Sequence, residues 1–187
     1  MNPADLLTIL HTVERLKDTT RHCYTSAGRH ESVAEHSWRS ALMAYLLKDE
    51  FPEADMNKVI LMCLIHDLGE CFTGDIPSFD KTAADEEKEA TLLSNWVASL
   101  PAPYDTELKA LFSEMDARQT LEAKIFKSID GMEAVLQHNE SDLSTWIPHE
   151  YQLNLTYCED RVQFSPYLAK FRQLLKEETK KKIEAEK

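Results

Sequence analysis

Helix start and stop signals recur along this chain while alternating strand patterns bounded by turn residues are scarce, so the sequence predicts an all-α fold. Asn2 before Pro3 is an N-cap with proline at the first helical position. The helix it opens carries Leu6, Leu7, Leu10 and Val13 toward Leu16 and stops near Lys17–Thr20. Residues 21–31 contain Gly28 and little periodicity, and read as a loop. Ser32-Val33-Ala34-Glu35 is a capping box, in which each end residue can satisfy the other's backbone N–H, and it starts a second helix running toward Leu47 before Pro52. A third helix begins near Asp55, carries the apolar run Val59–Ile65 through His66 and reaches about Glu70. Further helices are expected over about 83–99, 105–115 and 119–138, then between Trp146 and Val162 after Pro148, and last from Ser165-Pro166. The end from Lys176 to Lys187 is almost wholly charged and reads as a solvated, fraying tail.

At about 150 residues per domain, 187 residues give room for one core, and no repeat or polar linker divides them. Residues 1–187 are therefore expected to form a single compact helical bundle. Against 33 Asp and Glu stand 21 Lys and Arg, a net charge of −12, which repels nucleic-acid polymers. A small phosphorylated substrate stays compatible, because one or two placed arginines suffice to bind it. No apolar run approaches the roughly 20 residues needed to cross a bilayer, and the N-terminus resembles no signal peptide, so no membrane role and a cytoplasmic location are expected. Cys23, Cys63, Cys71 and Cys158 form no Cys-x-x-Cys and read as reduced thiols, with Cys63 and Cys71 as packing residues.

Chemistry concentrates in His66-Asp67-Leu68-Gly69-Glu70, an imidazole and a carboxylate placed where an apolar helix nears its end. His66 continues the stripe Val59, Met62, Cys63 by steps of three and four and so points inward. A buried Asp67 beside it is costly unless it is paired or binds a metal. Two residues do not close a site, and matching donors interrupt two other helices. His36 lies one turn into the second helix, just before Trp38, Ala41, Leu42 and Tyr45, which places it toward the core. Asp130 interrupts the stripe Ile125, Ile129, Met132, Leu136, four residues after Phe126. Two imidazoles and two carboxylates suit a divalent cation such as Co, Mn, Zn, Fe, Ni or Mg better than Ca. Glu70 follows Asp67 by three and His66 by four, on the same side and within reach of the ion without ligating it. His11, His22, His30, His138 and His149 show no comparable pattern, and surface roles are expected for most of them. Neither His30-Glu31 nor His149-Glu150 completes a His-Glu-x-x-His protease motif.

These segments resemble the His-Asp domain metal-dependent phosphohydrolases, and within them the 5′-deoxynucleotidase branch. The resemblance is carried by residues 31–39, by His66–Glu70, by Thr73-Gly74-Asp75-Ile76-Pro77 and by Asp130, in the family's order. It implies a helical domain in which His36, His66, Asp67 and Asp130 bind the cation that activates water against a nucleoside 5′-monophosphate. Glu70 would move the proton, since a departing sugar 5′-oxygen needs an acid. By the same resemblance Asp75, Ile76, Pro77 and Ser78 contact the nucleoside, with Asp75 on a sugar hydroxyl, and Arg21 holds the phosphate through parallel hydrogen bonds. Relatives carry a tryptophan at or just after that arginine; here His22, Cys23 and Tyr24 follow, and either His22 or Tyr24 can take the stacking role. Glu70 and Asp75 are also candidates for a second metal, and homodimers are common among such relatives.

Two other classes are open to the sequence. An iron oxygenase of the same superfamily would need extra histidines between the His-Asp pair and the distal Asp, and none lies between Asp67 and Asp130. A non-catalytic module stapled by metal would leave Glu70 and the Thr73–Pro77 loop without a role.

Overall fold

The computed structural model describes residues 1–185, and its architecture is a helical bundle with one small hairpin. In order, the elements are α1 (Pro3–Val13), β1 (Thr20–Tyr24), β2 (His30–Ser32), α2 (Val33–Leu46), α3 (Met56–Ile65), α4 (Glu70–Thr73), α5 (Ala83–Ala98), α6 (Tyr104–Ala117), α7 (Leu121–Glu140), α8 (Pro148–Thr156) and α9 (Pro166–Ala185). The expected loop over residues 21–31 is instead the antiparallel hairpin β1–β2, turned at Gly28, whose φ of 80° suits a residue without Cβ. Pairing this short is marginal alone; α7 supports it, with Gln137 Nε2 donating to the Tyr24 carbonyl at 2.6 Å.

The centre of the bundle is α7. It packs on α2, α3, α6, α9 and β1, and its Ala123, Ile125, Ile129, Met132 and Val135 are wholly buried. Gly131 permits one close approach: a Cβ there would lie 2.7 Å from Cβ of Cys158, in the turn that follows α8. The capping box at the start of α2 forms as expected, with Glu35 N donating to Ser32 Oγ and Ser32 N to Glu35.

Several boundaries and faces differ from the sequence reading. Helix α3 ends at Ile65 rather than near Glu70, and residues 66–69 wind tighter, with i→i+3 bonds from Leu68 N to Ile65 O and from Glu70 N to Asp67 O. Tighter winding brings positions three apart into line, which sets Glu70 beside Asp67. Helix α8 stops at Thr156, and turns occupy most of the way to Ser165. The charged C-terminal end is helical through Ala185, and Thr179 is wholly buried with Oγ1 donating to Asn139 Oδ1 at 2.7 Å, so the fraying tail is not borne out there. Residues 186 and 187 of that tail lie outside the described residues.

Helix α1 buries none of its residues; Leu6, Leu7 and Leu10 are exposed, and the burial begins at Leu16. The outward face of α2 is equally apolar. Trp38 is 61% and Leu46 69% exposed, with Leu42 and Tyr45 beside them. The sequence reading took Trp38, Leu42 and Tyr45 as the core face, but Trp38 sits about 200° around the helix from His36. The inward stripe is Val33, His36, Ser40 and Ala44.

Candidate active site

Three helical segments bring four side chains to one point: His36 from α2, His66 and Asp67 from the end of α3, and Asp130 from α7. The two Nε2 atoms are 3.2 Å apart; Asp130 Oδ1 lies 3.2 Å from that of His36 and 3.6 Å from that of His66. Asp67 Oδ2 is 3.0 Å from His66 Nε2 and 3.8 Å from His36 Nε2. Ligands about 2.1 Å from a tetrahedral or octahedral ion stand about 3.0 to 3.4 Å apart, so this set fits a cation at its centre. The tautomers agree. His66 Nδ1 donates to the Cys63 carbonyl at 2.9 Å, and His36 Nδ1 faces the Glu133 carboxylate. In the neutral rings both Nε2 lone pairs then point at each other and at carboxylate oxygens, an arrangement that only positive charge relieves. Burial opposes protonation of His66, yet Asp67 and Asp130 outweigh it and lift the ring to about 10. Burial would raise Asp67, but His66 and His36 hold it down at about 2.

His36, Asp67 and Asp130 line a cavity, and so do Glu70 and all six expected substrate contacts: Arg21, His22, Asp75, Ile76, Pro77 and Ser78. His66 stands just behind that lining, its Nε2 3.0 to 3.6 Å from donor atoms of the other three. Arg21 is nearly enclosed, and its two ion pairs, with Glu31 at 3.0 Å and Glu133 at 3.3 Å, both use Nη1. The register of β1 is irregular between Thr20 and Tyr24, and the consecutive Arg21 and His22 both reach the cavity, which a regular strand's alternating faces would forbid. Tyr24 is not among the lining residues; it stacks on His30 with centroids 4.0 Å apart. Of the two candidates for the missing tryptophan, His22 is therefore the one that faces the cavity. Gly74, at φ 75°, ends α4 and turns residues 75–78 along the wall. Glu70 is buried with Oε2 unpartnered; burial first, then the charges of Asp67, Asp75 and Glu89, push its carboxyl up to about 10. Glu70 and Asp75 both line the cavity, but no three-donor group among the described residues contains them together.

The HD domain family model matches residues 13–172, most of the chain and all of the residues just described. The chain belongs to the HD domain family. This HD-domain protein is 33% identical over 140 residues to the 5′-deoxynucleotidase HDDC2 of Bos taurus, covering 73% of this chain and 67% of the relative. It is 30% identical over 167 residues to the 5′-deoxynucleotidase hdd1 of Schizosaccharomyces pombe, covering 78% and 83%. Its fold matches the crystal structure of a predicted metal-dependent phosphohydrolase from Magnetospirillum magnetotacticum MS-1, with a TM-score of 0.82 and 28% identity over 96% of this chain and 95% of that one.

Sequence reasoning missed part of the HD-domain site. Glu133 is wholly buried, faces His36 Nδ1 and accepts from Arg39 Nε at 2.6 Å. Arg39 thus holds the carboxylate that faces His36 Nδ1 and orients its ring. A signal existed: Glu133 is a second charged residue in the apolar stripe, one turn after Asp130. Lys127, also on that face of α7, donates to Asp130 Oδ2 at 2.7 Å and lines the cavity. His138 is buried rather than at the surface, and contacts Glu150.

Proposed function

We propose that this HD-domain protein is a metal-dependent phosphomonoesterase that releases phosphate from nucleoside 5′-monophosphates, deoxy forms preferred. The observation that carries the reading is the convergence of His36, His66, Asp67 and Asp130 on one point of a cavity walled by Arg21 and Glu70. These four residues would hold a divalent cation, Co, Mn, Zn, Fe, Ni or Mg, which acidifies a water and screens the phosphate. Arg21, with Nη2 outside its ion pairs, would bind phosphate oxygens and stabilise the charge that builds on them. Glu70, whose carboxyl burial and the charges of Asp67 and Asp75 push upward, sits beside Asp67 and would protonate the departing 5′-oxygen. Asp75 would accept a sugar hydroxyl, Ile76, Pro77 and Ser78 would frame the nucleoside, and His22 would face it where relatives have tryptophan. The resemblance to curated 5′-deoxynucleotidases supports the substrate class.

One core cluster from Leu16 to Leu175 supports a single domain over residues 1–187. No described helix is long and apolar enough to cross a membrane, and all four cysteines are unpaired, which supports a cytoplasmic protein. The exposed apolar faces of α1 and α2, with Leu61 and Leu64 on α3, support a homodimer. The test of the activity is phosphate release from ribo- and deoxyribonucleoside 5′-monophosphates and an aryl phosphate, with Co, Mn, Mg or chelator. Metal-dependent release that favours deoxynucleotides is expected; silence on every substrate with every metal would overturn the reading.

A further inference from the structure

A second group of donors meets at the edge of the same cavity, two of them in its wall. His22 from β1, His138 from the end of α7 and Glu150 from α8 bring three ligand atoms within 4.8 Å of one another. Glu150 Oε1 lies 3.2 Å from His22 Nε2 and 3.1 Å from His138 Nε2. These separations match those found between donors of the first cluster, and suit a central ion about 2.1 Å from each atom.

The arrangement of donor atoms at this point suits a cation. His138 Nδ1 lies 2.9 Å from the Ala134 carbonyl, a contact that favours the Nδ1–H tautomer. The neutral ring then has a lone pair, not a proton, at Nε2, and that lone pair faces a carboxylate oxygen. His66 is held the same way, with Nδ1 on a backbone carbonyl and Nε2 toward Asp67. Glu150 is committed as well: Oε2 accepts the Ile147 backbone N–H at 2.8 Å, which leaves Oε1 alone toward the two rings. His138 and Glu150 are buried, and the buried Nδ1 of His22 has no hydrogen-bond partner. The His22 ring is fixed instead by an edge contact with Phe79 and a tilted contact with His138, at centroid distances of 5.4 and 5.2 Å.

We infer that His22, His138 and Glu150 form a second binding site for a divalent transition-metal cation. Two imidazoles and one carboxylate select Zn, Co, Ni or Fe over Ca or Mg. Three protein donors leave coordination positions open, and His22 and His138 belong to the wall of the cavity that holds the first cluster. This site is distinct from the pair Glu70 and Asp75, and does not depend on the activity proposed above.

The test is metal stoichiometry on the full chain. Chelator-stripped protein is titrated with Co in a calorimeter, and the retained Co is measured by elemental analysis and by its visible absorption after desalting. Wild type should bind two ions per chain. His22→Gln, at a partly exposed position, should bind one, and so should the buried His138→Gln. Asp67→Asn should also retain one ion, held at the second site and therefore with an absorption spectrum unlike that of the ion left in His22→Gln. A single ion in wild type, two ions in both histidine variants, or none in Asp67→Asn would overturn the inference.

Discussion

The two faces of α2 are chemically reversed. Its wholly or nearly buried side presents His36, Ser37 and Ser40 beside Val33 and Ala44, whereas its exposed side presents Trp38, Leu42, Tyr45 and Leu46. A helix that packed only for stability would do the opposite. The inner face gives up apolar burial to carry an imidazole to the site, where Glu133 and Asp130 compensate it. The outer face keeps apolar surface that one chain cannot bury. Polarity alone thus says which face is functional here, and it says so through the violation.

The cluster to which the inner face contributes His36 should be the sensitive one. Asp67→Asn or His66→Ala should lower phosphate release by about 10⁴-fold or more, about 5.4 kcal/mol of transition-state stabilisation, in a steady-state phosphate assay. If either variant keeps substantial turnover at saturating metal, the inner cluster is not the reaction centre.

Glu70→Gln comes next, with turnover reduced by about 10²- to 10³-fold and metal affinity held. It should also stabilise the fold. Glu70 stays protonated in the folded protein up to about 10, while the unfolded carboxyl ionises above its ordinary 4.5. The unfolded state therefore loses its proton first as pH rises, and wild type loses stability between those values. Glutamine has no such loss. Denaturant midpoints of chelator-treated protein should favour Glu70→Gln at pH 8, with the advantage vanishing as pH falls toward 4.5; an advantage independent of pH would contradict the protonated state.

Glu133→Gln should weaken metal binding about 10- to 100-fold by calorimetry, because it loosens the group that orients His36. The smallest catalytic effect belongs to the outer face. Leu46→Glu with Tyr45→Glu should halve the mass seen by light scattering and leave metal binding unchanged. A monomeric wild type would instead leave that apolar face without its proposed role.

Local signals read correctly where the cause was local. Ser32 and Glu35 fix the start of α2 through bonds three residues apart, and His66 continues a buried stripe set by its own helix. His36 was placed inward correctly but by the wrong neighbours: Trp38 and Tyr45 face solvent, and Ser40 and Ala44 share its side. The hairpin was illegible because its support comes from α7, more than a hundred residues away, through Gln137 and Tyr24. Lys127 and Glu150 were missed for the same reason, since their roles exist only once α7, α8 and β1 meet. Glu133 was within reach, had the second charge on an apolar stripe been weighed like the first.

The buried Arg172 of α9 donates from Nε to the Tyr157 carbonyl at 2.9 Å and from Nη2 to the Asn154 carbonyl at 2.8 Å. Asn154 and Tyr157 are wall residues of the cavity. A protease cut between Cys158 and Ser165, followed by loss of the last helix, would spare His36, His66, Asp67 and Asp130. It would nevertheless remove the clasp on that wall, so the clipped protein should still take up metal while its hold on a nucleotide slackens.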